Sequence, residues 1–240
     1  MPPAAFNAFG TSHLAVLGIT VAISAGLIGA RQAGKTWVRS LELTLAWAVA
    51  ASHFLALFFW WRKGVPLTLD IILPMHLCNW AGFAVWIALV WKKPLAAELA
   101  WFWAMAGTLQ GMITPNQPFD WPHPSFFTFF LLHSGVMIGA FQAVFGLGLK
   151  PRPRAWLRGI LWTEAYVLAA AAVNLLTNSN YAFLCAKPEK ASLLDHLGPW
   201  PWYLLSFQVL GATIIILLYL PFRGAGAGST DNPADGRRLK

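Results

Sequence analysis

Residues Leu69–Trp91 read LDIILPMHLCNWAGFAVWIALVW, and the whole stretch carries one charged side chain, Asp70. A helix rising about 1.5 Å per residue needs about 20 mostly apolar residues to cross about 30 Å of hydrocarbon. This stretch meets that requirement, yet it also holds a Pro, a His, a Cys and an Asn in consecutive turns. Six further runs of similar character flank it, at residues 12–30, 41–61, 95–113, 125–149, 155–176 and 200–222. The reading is an all-α, polytopic integral membrane helical bundle with seven transmembrane helices over residues 1–223. The Gly- and Asp-rich residues 224–240 follow as a disordered cytoplasmic tail, because their composition cannot support a packed element.

Composition agrees. Of 240 residues, 58% are hydrophobic and 11% charged, with 14 Trp and 17 Phe, and the mean hydropathy is +0.57. A soluble domain is about 25% charged, so water-soluble, disordered and nucleic-acid-binding classes are excluded. Two cysteines do not make a disulfide scaffold. The net charge of +8 is informative through its distribution. Arg31, Lys35, Arg39, Lys92, Lys93, Lys150, Arg152, Arg154, Arg158, Arg223, Arg237, Arg238 and Lys240 fall on one side of the seven-span arrangement. Arg62, Lys63, Lys187 and Lys190 fall on the other. Thirteen cations against four place the N-terminus outside and the C-terminus in the cytoplasm. The absence of Lys and Arg before Thr11 points the same way and argues against a cationic cleaved leader.

Polar side chains within hydrocarbon face a bundle interior or a cavity. Counting helical rise from the span ends puts Cys78, His133, His53 and Gln208 each roughly 12 Å from the outer surface, with Gln110 and Asn174 nearer the outer mouth. Glu164 lies in the inner half, while Glu42 and Glu98 stand at cytoplasmic ends within reach of loop cations. Each polar group alone reads as an interhelical hydrogen bond, and a lone Cys as a small buried hydrophobe. Together at one depth, a Cys and a His on different helices suit a thiolate and its base. His53, Gln110, Asn174 and Gln208 are then candidates for substrate binding or for donating to an oxyanion. Asn178 and Asn180 line the mouth or cap the sixth span, and His76 and Asn79 support the pair from the same helix. His53, His76, Cys78 and His133 are ligand types that suit zinc, but no paired spacing accompanies them, so neither a metal nor a cofactor is expected. A bridge from Cys78 to the loop residue Cys185 would remove the nucleophile. The aromatic residues Trp60, Trp61, Trp91, Trp121, Trp200 and Trp202 near span ends read as an interfacial belt.

The segment Leu73-Pro74-Met75-His76-Leu77-Cys78-Asn79 resembles the start of the third helix in YwaF-type integral membrane proteins. In order along the chain come Thr114-Pro115-Asn116, then Phe130-Leu131-Leu132-His133-Ser134-Gly135, Asn174, Asn180-Tyr181, Lys187-Pro188 and Gly198-Pro199-Trp200-Pro201-Trp202-Tyr203. The resemblance covers about residues 40–222. That family is similar to an animal multi-pass acyltransferase acting on ether phospholipids, and more distantly to androgen-induced membrane hydrolases of fatty-acid esters. The resemblance implies that Cys78 stands at the nucleophile position and His133 at that of the catalytic histidine.

The leading expectation is therefore an integral membrane lipid acyltransferase or acyl hydrolase in the cell membrane, a bacterial inner membrane, with a membrane lipid as substrate and no nucleic acid partner. A multi-pass transporter or solute-binding protein is the alternative, and a receptor or assembly factor a third class. Transport calls for polar residues through the full thickness, whereas the inner half offers mainly Glu164.

Overall fold

The computed structural model describes residues 4–188 and 193–224. Lys190 and nearly all of the expected tail, including Arg237, Arg238 and Lys240, lie outside the described residues. Among the described residues the architecture is helical, with one isolated bridge between Ala5 and Phe119. In chain order the α-helices are α1 (Thr11–Gln32), α2 (Val38–Arg62), α3 (Leu69–Ile72), α4 (Leu77–Trp91), α5 (Pro94–Trp103), α6 (Leu109–Ile113), α7 (Pro124–Phe141), α8 (Ala155–Thr177) and α9 (Trp202–Tyr219). Two π-helical segments, Ala104–Thr108 between α5 and α6 and Gln142–Gly146 after α7, continue their helices with a wider winding.

Six helical stretches are long and apolar enough to cross a membrane: Thr11–Gln32, Val38–Arg62, Leu69–Trp91, Pro124–Gly146, Ala155–Thr177 and Trp202–Phe222. The expected fourth span is helical from Pro94 to Ile113 but falls short of that measure. Its surroundings explain the difference. Every residue from Ala96 to Trp103 is buried by protein, so this helix presents little surface to lipid and tolerates Glu98 and small residues.

The expected third span is not one helix. Pro74 has no N–H to donate and biases the residue before it towards extended backbone, and Leu73 (φ −77°, ψ 128°) and His76 (φ −70°, ψ 143°) are both extended. Helix α4 then begins at Leu77. The depth of Cys78 counted from Asp70 as helical rise therefore does not hold, because residues 73–76 between the two helices are not helical.

The core lies where α2, α4, α5 and α7 meet, and it is built largely from Ala and Val: Ala46, Val49, Ala81, Val85, Ala97 and Ala140 are among its buried members. Small residues let membrane helices approach closely and gain dispersion contacts that lipid would otherwise supply. A Cβ on Gly135 would stand 2.4 Å from Val49 Cγ2, and one on Gly139 would stand 2.3 Å from Val85 Cγ1. Thus α7 touches α2 and α4 through two glycines one turn apart. Helices α8 and α9 join through a second cluster that includes Phe102, Val144, Ala155 and Ile215.

Buried charges close one end of the bundle. Glu98, fully buried, accepts from Arg152 Nε and Arg158 Nε at 2.8 Å each and from the Arg152 backbone N–H at 3.0 Å. Glu42, equally buried, lies 3.3 Å from Arg39 Nη1 and 3.7 Å from Arg31 Nε, and it accepts from Gln142 Nε2 at 2.8 Å. Arg39 also donates to the Leu89 and Val90 carbonyls, which are orphan acceptors at the end of α4. These pairings match the expectation that both carboxylates meet loop cations.

Gly135→Ala is expected to cost about 1–3 kcal/mol through overpacking against Val49, lowering the thermal unfolding midpoint in detergent. Gly211→Ala, where a Cβ meets nothing within 4 Å, serves as the comparison and leaves the midpoint unchanged or slightly raised.

Candidate functional site

The interruption at residues 73–76 frees backbone carbonyls, and each unsatisfied carbonyl in an apolar setting is costly. Side chains from three other elements reach them. Tyr181 Oη donates to Asp70 O at 2.6 Å and stands 3.2 Å from Leu69 O and 3.1 Å from Leu73 O. Tyr166 Oη on α8 donates to Met75 O at 3.0 Å, and His53 Nε2 on α2 donates to Ile72 O at 2.8 Å. Burial, aided by the Asp70 charge, pushes the Tyr181 phenol above its ordinary range, so it remains a neutral donor. Tyr181 is itself clamped by Asn174, whose Oδ1 accepts from Tyr181 N at 2.8 Å and whose Nδ2 donates to Tyr181 O at 3.0 Å.

The consequence is a helix that starts inside the bundle with Cys78 in its first turn. Unpaired N–H groups at a helix start carry partial positive charge and favour an anion beside them. The Cys78 thiol lies within electrostatic range of the His133 imidazole. His133 Nδ1 lies 2.8 Å from Phe129 O. A carbonyl only accepts, so the ring proton sits on Nδ1 and Nε2 presents its lone pair to the thiol. The ring is stacked on Phe129 at 4.0 Å. The far side of the ring is fixed by Gly111, where a Cβ would come 2.9 Å from His133 Cδ2 and 3.0 Å from Nε2. Met112, the next residue, accepts from His13 Nε2 at 2.7 Å, while His13 Nδ1 takes the Phe9 N–H at 2.9 Å. Helix α1 thereby holds α6 in register against the imidazole.

The other residues expected at the site are placed as follows. His53 and Asn79 line a small cleft with Val49, Ser52, Phe83 and Leu132, but the His53 donor is committed to Ile72 O. Asn174 has both ends of its amide engaged with Tyr181, which makes it a clamp on that residue. Gln208 was expected in the layer of Cys78; its Nε2 instead donates to Glu164 Oε2 at 2.8 Å, joining α8 to α9. Gln110 is exposed on α6. Asn178 ends α8 in the left-handed conformation, with φ 54°, the capping alternative for this residue. Asn180 accepts from the Cys185 and Ala186 N–H groups and donates to Ala186 O, organising the loop. His76 precedes α4 and meets Tyr181 edge to face at 5.1 Å.

Both cysteines are free, and Cys185 Sγ faces Ser179 O at 3.6 Å. The Gly198–Tyr203 motif holds this loop: Trp200 Nε1 donates to Leu184 O, Tyr203 Oη to Phe183 O, and Lys187 lies over the Tyr203 ring. Among the described residues no three His, Cys, Asp or Glu side chains are grouped as metal ligands. The reading of the residues missed Thr108, Gly111 and His13. For the first two a signal exists, since Gly107-x-x-x-Gly111 brackets Thr108 with the spacing of a close helix contact; for His13 there is none.

A family model described as the TMEM164 family matches residues 8–219, and the chain belongs to that family of multi-pass membrane proteins. No curated protein and no solved structure matches the chain.

Gly111→Ala is expected to displace the imidazole and slow alkylation of Cys78 by a membrane-permeant iodoacetamide about 10- to 100-fold, the scale of a misplacement of about 1 Å. Gly26→Ala, on an open face of α1, leaves the rate unchanged.

Proposed function

We propose that this member of the TMEM164 family is an integral membrane acyltransferase or acyl hydrolase acting on membrane lipids in the cell membrane, with Cys78 as nucleophile and His133 as general base. The observation that carries the reading is the nearness of the Cys78 thiol to the His133 imidazole, whose Nδ1 proton is held by the Phe129 carbonyl. A nucleophile, a base and a third group orienting the base form the constellation that covalent catalysis requires. The resemblance to YwaF-type proteins and to the ether-phospholipid acyltransferase rests on the same two residues.

In this scheme His133 Nε2 takes the thiol proton as sulfur attacks the ester carbonyl carbon. The carbonyl π electrons move to oxygen, giving a tetrahedral oxyanion. Its collapse restores the carbonyl and breaks the bond to the lipid alkoxide, which leaves with the proton from His133. An acyl-thioester on Cys78 remains. Water or a second hydroxyl then loses its proton to His133 Nε2 and attacks the thioester, and Cys78 leaves as thiolate and recovers the proton. Water completes hydrolysis; an alcohol completes acyl transfer.

The same proposal gives the chain seven crossings, with the N-terminus outside and residues 94–113 as a protein-enclosed fourth. Support comes from the ion pairs. They bring the end of α1, the starts of α2, α5 and α8 and the end of α7 to one end of the bundle, where the cations cluster. Along an antiparallel chain that arrangement needs residues 94–113 to traverse.

Purified protein in micelles, treated with a lipid-like acyl-thioester probe, is expected to become acylated at Cys78. Cys78→Ala abolishes the label and His133→Ala slows it by about 10²- to 10⁴-fold, the range for general-base assistance. An unreactive Cys78 in folded protein would overturn the enzyme reading in favour of solute binding. A fluorescent protein that matures only in the cytoplasm, fused after Lys240, is expected to fluoresce; a dark fusion of normal abundance would overturn the orientation.

A further inference from the structure

Serine and threonine hydroxyls in membrane helices ordinarily satisfy themselves on the carbonyl one turn earlier. This chain follows the rule repeatedly: Thr20, Ser24, Thr44, Thr163, Thr177 and Thr213 each donate to the carbonyl four residues before, at 2.7 to 3.0 Å. Thr108 departs from it. It ends the π-helical segment Ala104–Thr108. Its side chain is fully buried, and Oγ1 has no hydrogen-bond partner of regular geometry. A buried hydroxyl without a partner costs about 1–3 kcal/mol, and single-turn π segments recur at functional sites. The hydroxyl lies within interaction range of the Cys78 sulfur, on the opposite helix from His133. Gly107 makes this approach possible, since a Cβ there would stand 2.8 Å from Leu77 Cδ2.

We propose that Thr108 is a catalytic residue, the side-chain donor of an oxyanion site whose second donor is the Cys78 backbone N–H. The inference rests on the Cys78–His133 reading above and assigns the charge stabilisation which that reading requires. When sulfur bonds to the carbonyl carbon, the carbonyl oxygen becomes a neighbour of that sulfur. A buried hydroxyl near the sulfur and without a partner then turns to the oxygen without rearrangement of the helix. No proton is transferred in this contact: Thr108 donates a hydrogen bond that strengthens as negative charge develops and relaxes when the carbonyl re-forms.

The experiment compares full-length wild type, Thr108→Val and Thr108→Ser in micelles by two rates at Cys78: acylation by the acyl-thioester probe, and alkylation by iodoacetamide. Alkylation occurs at a saturated carbon and develops no oxyanion. Thr108→Val, equal in shape, is expected to slow acylation about 10²- to 10³-fold, the usual effect of losing one oxyanion donor, while alkylation changes less than about threefold. Thr108→Ser restores most of the acylation rate, which excludes misfolding as the cause. Equal slowing of both reactions by Thr108→Val would make Thr108 a partner of the thiol alone and overturn the proposal. Unchanged acylation in Thr108→Val, with the label still lost in Cys78→Ala, would overturn it and leave the Cys78–His133 reading intact. Wild type that alkylates at Cys78 but is never acylated there would overturn both.

Discussion

A helix broken inside a bilayer must have its freed carbonyls answered by protein, since hydrocarbon offers no donor. In this chain the break at Leu73–His76 is answered by Tyr181, Tyr166 and His53, contributed by three separate elements. Much else follows from that requirement. Asn174 clamps Tyr181, the loop after α8 folds back over α3, and α4 begins at a depth where its first turn faces α6 and α7. Had the helix run straight through Pro74, Cys78 would lie in mid-helix with its neighbouring N–H groups already bonded.

The opposite end of the bundle uses charge in place of neutral donors. Burying a carboxylate is tolerable only with close, well-aligned cations, and Glu98 has two guanidinium groups arranged about it. Between the two ends the core brings helices together on Ala, Val and Gly, with larger side chains such as Trp103, Phe126 and Phe130 around them. Close packing of small residues resists local adjustment, so the imidazole at His133 is held by contacts that cannot yield cheaply, Gly111 foremost among them.

The helical, membrane-embedded character was legible in composition and run length alone, and so was the meeting of loop cations with Glu42 and Glu98. The expectation that Cys78 and His133 act as a pair came from residue chemistry and resemblance, and the depth count that also led there assumed a continuous helix. What escaped was of two kinds. Residues 94–113 have the polarity of a helix enclosed by protein, and hydropathy measures only what lipid would touch. Backbone partners of polar side chains were not legible: nothing in the identity of His53 or Asn174 says that a carbonyl or an amide of a distant loop will occupy it. Thr108 was hidden for a related reason, because nothing in its identity says that its hydroxyl will be left without a partner.

The order in which the chain is made sets a final condition on the broken stretch. Synthesis delivers α3 and α4 after His53 but long before Tyr166 and Tyr181, which lie 91 and 108 residues beyond their partners Met75 and Leu73. During that interval the insertion machinery holds a segment with several unanswered carbonyls, which keeps it near water or against the translocation channel. Full satisfaction of those carbonyls therefore waits for α8 and the loop after it, and the start of α4 gains its final surroundings only near the end of biogenesis. A chain cut short before residue 181 would leave the carbonyls ahead of α4 without the phenol that answers them in the full bundle.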